Sequence, residues 1–258
     1  MIKRFNRFEL KYLVTAAQCD ALKRDILHHM KPDENGTAAG SYPIVSLYYD
    51  SADLACMRAK LEGIKFRRKL RIRRYGIEEQ APVFVEIKQR INRTTQKRRM
   101  VLPLAEAYDL CAGRFDHTVA NADDAAVADE ILFLVRALAL QPTCLIGYQR
   151  DALVGGPYDP GLRVTFDHSL WTAQASDGLS TSAVRHSLAP PTFMIMEVKA
   201  NEAVPLWLAN ILARHQCPLW RYSKYCAGAA RLTELEFLPT SQASALHGGS
   251  FDEVSDDG

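Results

Sequence analysis

The 258-residue sequence lacks the features that mark membrane, secreted and zinc-binding proteins. It has no run of about 18 apolar residues, the length that a membrane-spanning helix requires. Its basic start is not followed by the apolar segment of a secretory signal. The six cysteines are scattered and form no C-x-x-C pair, which argues against a disulfide framework and a zinc site. These absences predict a cytoplasmic protein without a membrane segment of its own.

Several common catalytic motifs are also missing. The sequence contains no G-x-x-x-x-G-K-[ST] loop, no G-x-G-x-x-G, no H-E-x-x-H and no G-x-S-x-G. The seven histidines are scattered along the chain. P-loop enzymes, dinucleotide-binding enzymes, zinc peptidases and α/β-hydrolases are therefore poor models for this chain.

Positive charge, by contrast, is concentrated in one segment. The formal net charge of the whole chain is only +2, yet thirteen Lys and Arg fall between Lys65 and Arg99. Only three acids, Glu78, Glu79 and Glu86, occur in the same stretch. A local excess of this size in an otherwise balanced protein indicates an anionic partner at one place.

The hydrophobic pattern predicts an α+β fold with a large antiparallel sheet. Links between neighbouring strands are too short for crossovers, so the pairing is antiparallel. Thr15 and Gln18 form a capping box ahead of an apolar stripe that reaches Met30. Strands are expected at 7–14, 44–50, 65–75, 83–90, 97–102, 143–152, 162–167 and 193–199, and helices after Thr15 and at 52–60, 105–112, 125–140, 205–215 and 223–235. Residues 1–238 are expected to form one domain, followed by a disordered acidic tail at 239–258.

Charged residues alternate with apolar ones along these strands. Because residues i and i+2 of a strand share a face, Lys65, Lys69 and the arginines at 67, 71 and 73 lie on one side. The same spacing groups Glu86, Lys88 and Arg90, and it pairs Glu9 with Lys11, Tyr148 with Arg150, Arg163 with Asp167, and Glu197 with Lys199.

A closed β-barrel would turn this face inward and make a tunnel lined by Lys and Arg, with helices packed outside. The simpler interpretation is a sheet with one solvated face. That alternative weakens over six strands, because five cations on one strand repel one another unless an anion compensates. The pattern therefore favours an enclosed polyanion, whose phosphate oxygens arginine can grip in bidentate geometry.

Glu197 is the acid with the clearest functional setting. It lies between apolar residues in F-M-I-M-E-V-K-A and shares a face with Lys199. A carboxylate there serves as a salt-bridge partner or as a ligand for Mg²⁺ or Mn²⁺, which bind one or two carboxylates together with substrate phosphates. Glu9, Glu86 and Asp167 are weaker metal candidates and are expected to orient neighbouring Arg or Lys side chains.

Nine short motifs, in order, resemble the polyphosphate polymerase domain of the vacuolar transporter chaperone (VTC) family. That family belongs with the CYTH proteins to the triphosphate tunnel metalloenzymes. The resemblance covers roughly residues 5–236. The motifs are F-E-L-K-Y-L-V, S-L-Y-Y-D, L-R-I-R-R-Y-G, V-F-V-E-I-K, Q-K-R-R, Y-Q-R-D-A, L-R-V-T-F-D, M-E-V-K and Y-S-K-Y.

The resemblance implies roles for individual residues. It assigns phosphate binding and catalysis to Arg71, Arg73, Lys88, Arg150, Arg163 and Lys199, substrate binding to Lys11, Lys97, Arg221, Ser223 and Lys224, and metal binding to Glu197. Arg98 and Arg99 stay open as alternatives to Lys97. The implied reaction transfers the γ-phosphate of ATP to a growing inorganic polyphosphate chain with Mn²⁺ or Mg²⁺.

Two departures from the resemblance bear on function. The CYTH triphosphatases begin with E-x-E-x-K, but Arg7 replaces the first glutamate here, which argues against simple triphosphatase or cyclase chemistry. We expect no SPX-type regulatory domain in this chain, and the resemblance implies a membrane-protein partner for product export. The alternatives are hydrolysis of tripolyphosphate or nucleoside triphosphates and a non-catalytic polyphosphate-binding module. Nucleic acid is not an expected partner, because stacking aromatics do not alternate with the cations.

Overall fold

The computed structural model describes residues 7–92, 94–116, 121–179, 183–201 and 203–233. Its strands are β1 (Arg7–Thr15), β2 (Met30–Pro32), β3 (Ser41–Asp50), β4 (Phe66–Tyr75), β5 (Val83–Ile91), β6 (Thr94–Leu102), β7 (Gln141–Gly155), β8 (Arg163–Gln174), β9 (His186–Ser187) and β10 (Phe193–Asn201). Its helices are α1 (Ala16–Ile26), α2 (Ala55–Leu61), α3 (Leu104–Cys111), α4 (Ala122–Ala137), α5 (Leu206–Arg214) and α6 (Lys224–Thr233).

The strands form one antiparallel sheet in the order β1-β10-β8-β7-β3-β4-β5-β6, with β2 added to β7 and β9 to β8. No pairing joins the edge strands β1 and β6 among the described residues, so hydrogen bonds do not close the sheet into a barrel. Side chains nevertheless meet across it, because Lys88 Nζ on β5 lies 3.1 Å from Glu9 Oε2 on β1. The sheet is therefore a curled half-barrel, and the ionic face is its inner face.

The outer face is apolar and carries two helix pairs. Ile72 and Val85 of the sheet are buried with Ile131 of α4 in a cluster that also includes α3. Phe166 of β8 is buried with Leu22 of α1 in a second cluster that also includes α5. Burial of these side chains is the main stabilising term of the fold, at about 2 kcal/mol for each large apolar residue.

The helices α2 and α6 lie at the inner face. The Tyr225 ring of α6 stacks on Tyr48 of β3 with 5.0 Å between the ring centroids. Gly228 allows α6 to approach β7 closely, since an added Cβ would lie only 2.1 Å from Ile146 Cδ1. Just before α6, Trp220 N–H donates to the carbonyl of Lys11, which ties this segment to the free edge of β1.

Asp50 joins three elements at the inner face. The residue ends β3 and is fully buried. Its Oδ1 accepts the N–H of Cys56 at 2.8 Å and its Oδ2 accepts the N–H of Met57 at 2.9 Å, at the start of α2. Oδ2 also accepts the hydroxyl of Tyr225 in α6. One carboxylate thus fixes α2 and α6 against the sheet.

The structure confirms the α+β class, the antiparallel sheet and the capping box at Thr15. Three features differ from expectation. Helix α1 ends at Ile26, and Met30 begins β2. Strand β8 continues beyond Asp167, and the φ of 51° at Ser169 interrupts the alternation of side chains along it. Two helices pack inside because apolar Ile146 and Tyr48 occupy part of the inner face. The expected tail at 239–258 and the end of the last helix lie outside the described residues.

Asp50→Ala should lower the free energy of unfolding by about 3 kcal/mol, because three backbone amides, those of Ser51, Cys56 and Met57, and the Tyr225 hydroxyl would lose their acceptor. Urea unfolding measures the loss. Asp53→Ala is the matched control, since the Asp53 side chain is 60% exposed, and we expect a change below about 1 kcal/mol. Equal losses in the two variants would contradict the anchoring role of Asp50.

Candidate functional site

Charged side chains from seven strands, α6 and the turn after β2 meet at the inner face. Ion pairs and hydrogen bonds hold them in several linked groups, here together called the central cluster. Its ten cations are Lys11, Lys69, Arg71, Arg73, Lys88, Lys97, Arg150, Arg163, Lys199 and Lys224, and its five acids are Glu9, Asp33, Glu86, Asp167 and Glu197. The alternation along β1, β4, β5, β7, β8 and β10 produces this convergence once the sheet curls.

Glu197 lies at the centre of the cluster with 5% of its surface exposed. Its carboxylate contacts the ammonium of Lys224 at 2.9 Å, Lys11 at 3.3 Å and Lys199 at 3.4 Å, and the guanidinium of Arg150 at 3.6 Å. Burial would raise the pKa of Glu197, but these cations hold it well below its ordinary value. Glu197 is therefore ionised at neutral pH.

Arg150 and Lys224 share a second buried acid, Asp167. Arg150 grips the Asp167 carboxylate with both Nε, at 2.6 Å, and a terminal nitrogen, at 2.7 Å. Lys224 Nζ lies 2.5 Å from Asp167 Oδ2. Burial lowers the pKa of Lys224, but Asp167 and Glu197 outweigh burial and raise it above its ordinary value.

Arg71 is held by Glu86 and Tyr48. Its Nε and a terminal nitrogen lie 2.8 and 2.7 Å from Glu86 Oε2, and its other terminal nitrogen donates to the Tyr48 hydroxyl at 2.8 Å. Lys97 reaches the second oxygen of Glu86. Burial would raise the pKa of Glu86, but Arg71, Arg73 and Lys97 lower it to about 2.

Two cations of the cluster have no acidic partner within the described ranges. Arg73, 6% exposed, donates to Ser46 Oγ at 2.9 Å and to the Tyr148 hydroxyl at 3.4 Å. Lys69 Nζ donates to Ser223 Oγ at 3.1 Å and lies 5.0 Å from the ring centre of Tyr225. A buried cation without an acid is costly unless an anion compensates it. Buried Arg73 and half-buried Lys69 are therefore positions that favour an anionic ligand.

The environment of the inner face lowers the pKa values of two further side chains, Tyr48 and Lys199. Burial alone would raise the pKa of the Tyr48 hydroxyl, yet Arg71, Arg73 and Lys69 lower it to about 8. The pKa of Lys199 is lowered to about 8, mainly by burial. Glu197 opposes this shift, and repulsion from Arg150 adds to it. An anionic ligand beside these groups would raise both pKa values towards their ordinary range.

The remaining expected site residues lie at the margins. Arg163 donates to the Tyr42 hydroxyl at 2.7 Å and pairs with Asp33. Arg221 is exposed and forms no ion pair in the part of the chain described, so its role stays a prediction. Ser223 accepts from the N–H of Cys226 at 3.3 Å and thereby caps α6.

The structure separates the three candidates on β6. Lys97 faces inward and contacts Glu86, whereas Arg98 faces outward and pairs with Glu130 of α4. Arg99 stands opposite Glu86 in the register and places its guanidinium over the ring of Phe84, 4.8 Å from the ring centre. Lys97 is thus the β6 cation within the central cluster.

The residues present fit a divalent metal only in combination with a phosphate ligand. The described ranges hold no group of three or more His, Cys, Asp or Glu side chains able to bind a metal. Glu197 supplies a carboxylate, and the buried hydroxyl of its cross-strand neighbour Thr165 has no hydrogen-bond partner. These oxygens suit a hard cation that takes its remaining ligands from phosphate and water.

Several members of the site were not assigned from the sequence. Tyr48 and Tyr148 contribute hydroxyls to Arg71 and Arg73, and Thr165 lies beside Glu197. Their alternation with charged residues is a usable signal, because each lies two residues from an ionic or polar position of the same face. Asp33, from the turn after β2, carries no such signal.

The chain is similar to several known proteins. It is 26% identical over 225 residues to vacuolar transporter chaperone complex subunit 4 of Trypanosoma brucei brucei, and the match covers 74% of this chain and 28% of that protein. This chain therefore corresponds to less than a third of the relative's length. No helix among the described residues combines the length and apolar character needed to cross a bilayer.

The solved structures that match the chain share little sequence with it. A putative adenylate cyclase from Bacillus halodurans has a TM-score of 0.48 and 15% identity, covering 83% of this chain and 92% of that one. The PH1819 protein from Pyrococcus horikoshii has a TM-score of 0.45 and 12% identity, covering 88% and 99%. The model of the VTC domain matches residues 6–233, nearly everything that the structure describes. The chain belongs to the VTC domain family.

Proposed function

We propose that the chain transfers the γ-phosphate of ATP to a growing inorganic polyphosphate chain. The observation that carries this proposal is the surplus of positive charge at the inner face, above all the buried Arg73 and the half-buried Lys69, which have no acidic partner among the described residues. Membership of the VTC domain family and the similarity to a vacuolar transporter chaperone subunit support the same reaction. The proposed setting is the cytoplasm, with a membrane protein as partner for product export.

The arginine and lysine side chains have different roles in the proposed reaction. Arg71, Arg73 and Arg150 bind phosphate oxygens through planar guanidinium groups that their partners already orient, so little ordering is needed on binding. Lys11, Lys88, Lys199 and Lys224 act as movable point charges. Together they neutralise two adjoining phosphate groups, hold them in line and stabilise the charge that shifts to the leaving ADP.

A Mn²⁺ or Mg²⁺ ion, held by Glu197 and phosphate oxygens, would supply further neutralisation of the triphosphate. Lys11, Lys199 and Lys224 contact Glu197 in the unliganded protein and would turn to the phosphates when these bind. Ser223 then hydrogen-bonds a phosphate oxygen in place of Lys69.

Hydrolysis of tripolyphosphate or nucleoside triphosphates is the second candidate, because it uses the same cations with water as acceptor. A binding module without turnover is the third. Product analysis separates all three: long chains with ADP indicate the polymerase, free phosphate alone indicates the hydrolase, and unchanged ATP indicates the binding module.

Purified protein incubated with ATP and Mn²⁺ or Mg²⁺ should make polyphosphate that is visible on a gel, and a chelator should abolish the product. Arg71→Ala, Arg73→Ala and Glu197→Ala should each reduce the rate at least about 100-fold, since each removes a preorganised charge at the reacting phosphates. Circular dichroism should show that the variants fold.

Arg114→Ala is the control, because the Arg114 side chain is 70% exposed and lies outside the central cluster. Arg73→Ala is the most informative variant, since it leaves no acid unpaired and therefore perturbs the fold least. Full turnover in a folded Arg73→Ala or Glu197→Ala variant would contradict the site assignment.

Glu86 is proposed as a positioning residue for Arg71 and Lys97. Its folded-state pKa of about 2 lies below its ordinary 4.5, so its stabilising effect is complete above pH 4.5 and disappears as the pH falls towards 2. Glu86→Gln should therefore cost about 3 kcal/mol at neutral pH, and the difference from the wild type should shrink in acid.

Urea unfolding of both proteins, from neutral pH down to the lowest pH at which they fold, measures this difference. Glu130→Gln is the control, because the Glu130–Arg98 pair is 24% and 30% exposed and contributes about 1 kcal/mol or less. A Glu86→Gln deficit that stays constant across the acid range would show that Glu86 does not act through its charge.

A further inference from the structure

Helix α4 carries an exposed stripe on the side that faces away from the sheet. Its inner side is buried in the apolar cluster through Val127, Ile131 and Leu134. The outer residues recur at alternating intervals of four and three, which is the spacing of a helix–helix seam. This stripe, here called the α4 seam, consists of Ala122, Ala126, Asp129, Phe133 and Arg136, and all five residues are exposed.

Phe133 is the largest apolar side chain of the α4 seam. The residue lies in the middle of the exposed stripe and is 63% exposed. Beside its ring is a cleft of about 540 Å³, lined by Asp129, Leu132, Phe133, Arg136 and Ala137. A protruding ring next to a cleft on the same stripe is complementary to a second copy of itself, because each ring can enter the cleft of the other copy.

The charges of the α4 seam are also self-complementary. Asp129 and Arg136 lie on either side of Phe133, about 10.5 Å apart along the helix axis. Within the described residues Asp129 has no ionic partner, and Arg136 binds no acid but donates to the carbonyl of Gly113 at 3.0 Å. In an antiparallel pair of α4 helices, Asp129 of each copy stands opposite Arg136 of the other, and both Phe133 rings lie beside the two-fold axis.

Small residues allow the two helices to approach closely. Alanine occupies positions 122 and 126 of the seam, and Ala137 lies beside it. Packed helices are separated by about 8 to 10 Å, and small side chains at the contact favour the shorter distance. In the antiparallel register Leu138, which is 38% exposed, comes close to Ala126 of the other copy. The antiparallel helix dipoles also attract each other.

We propose that α4 forms the two-fold interface of a homodimer. The proposal is independent of the reaction at the central cluster, because it uses only the outer face of the protein. An interface built on one helix from each copy is smaller than the roughly 1,200 Å² of a stable complex. We therefore expect a reversible dimer with micromolar affinity.

A second copy fits the α4 seam better than a nucleic acid or an anionic membrane. Both of those partners select an excess of Lys and Arg. The seam instead carries one acid and one cation, Asp129 and Arg136, so it has no excess of either sign. A reversed copy of the same helix matches each of these charges with its opposite.

Sedimentation equilibrium of the whole chain, from about 1 to about 200 µM, measures the association. The wild type should change from monomer to dimer within this range. Phe133→Ser should weaken dimerisation at least about 100-fold, because the two-fold axis counts the loss of the ring twice. Tyr158→Ser is the matched control, since Tyr158 is 98% exposed and lies between β7 and β8, and we expect no change.

Charge reversal tests which residues face each other across the two-fold axis. Asp129→Arg and Arg136→Asp should each weaken the dimer about tenfold or more, because like charges then stand opposite each other. An equimolar mixture of the two variants should regain the wild-type affinity, since one copy then presents two cations and the other presents two acids.

Circular dichroism should show that all the variants fold. A wild type that stays monomeric at the highest concentration would overturn the proposal. So would a dimer that survives Phe133→Ser, because it would use another surface. A mixture of the two charge-reversal variants that fails to associate would contradict the pairing of Asp129 with Arg136.

Discussion

The structure depends on positive charge that the protein encloses and only partly neutralises. Burying a cation costs several kcal/mol unless an acid or a bound anion compensates it. Glu86, Asp167 and Glu197 meet most of that requirement, and each contacts at least two cations. Arg73 and Lys69 are left to hydroxyl groups. The acids offset most of the cost of burying these cations, and Arg73 and Lys69 are the positions at which the proposed anionic substrate would add most.

Burial of the apolar clusters offsets the free-energy cost of the charged inner face and fixes the positions of its side chains. Two helix pairs bury the outer face of the sheet, and the inner face is anchored by α2 and α6 through Asp50. Because Ser223 caps α6 and Lys224 is its first residue, a shift of that helix would move both side chains at once. The packing of Tyr225 and Gly228 therefore belongs to the function as much as to the fold.

Much of this arrangement could be predicted from the sequence, because a two-residue period decides which side chains share a strand face. The alternation in β4 and β5 was enough to place Arg71, Arg73 and Lys88 on one surface. Curvature was not predictable in the same way. The contact between Lys88 and Glu9 joins residues 79 positions apart, and neither local spacing nor composition encodes it.

Other features escaped prediction because they depend on how the elements pack. No pairing joins β1 and β6 within the described residues, and α6 lies inside rather than outside. Lys97 and Arg98 are adjacent cations, and only the register of β6 against β5 and the position of α4 decide which faces the site. Asp33 reaches Arg163 from a turn without periodicity.

The electrostatics of the site also bear on the choice of acceptor. Water must lose a proton to attack a phosphate, and a general base with a pKa near neutrality would assist it. The acids of the central cluster are poor bases, since the pKa values of Glu9 and Glu86 are about 2 and that of Glu197 is also strongly lowered. A terminal phosphate is already anionic at neutral pH and needs cations rather than a base. The carboxylates of the site therefore offer little help to water, and its oriented cations suit a phosphate acceptor. Lys199 and Tyr48, with pKa values lowered to about 8, are the groups left to act as a base in hydrolysis.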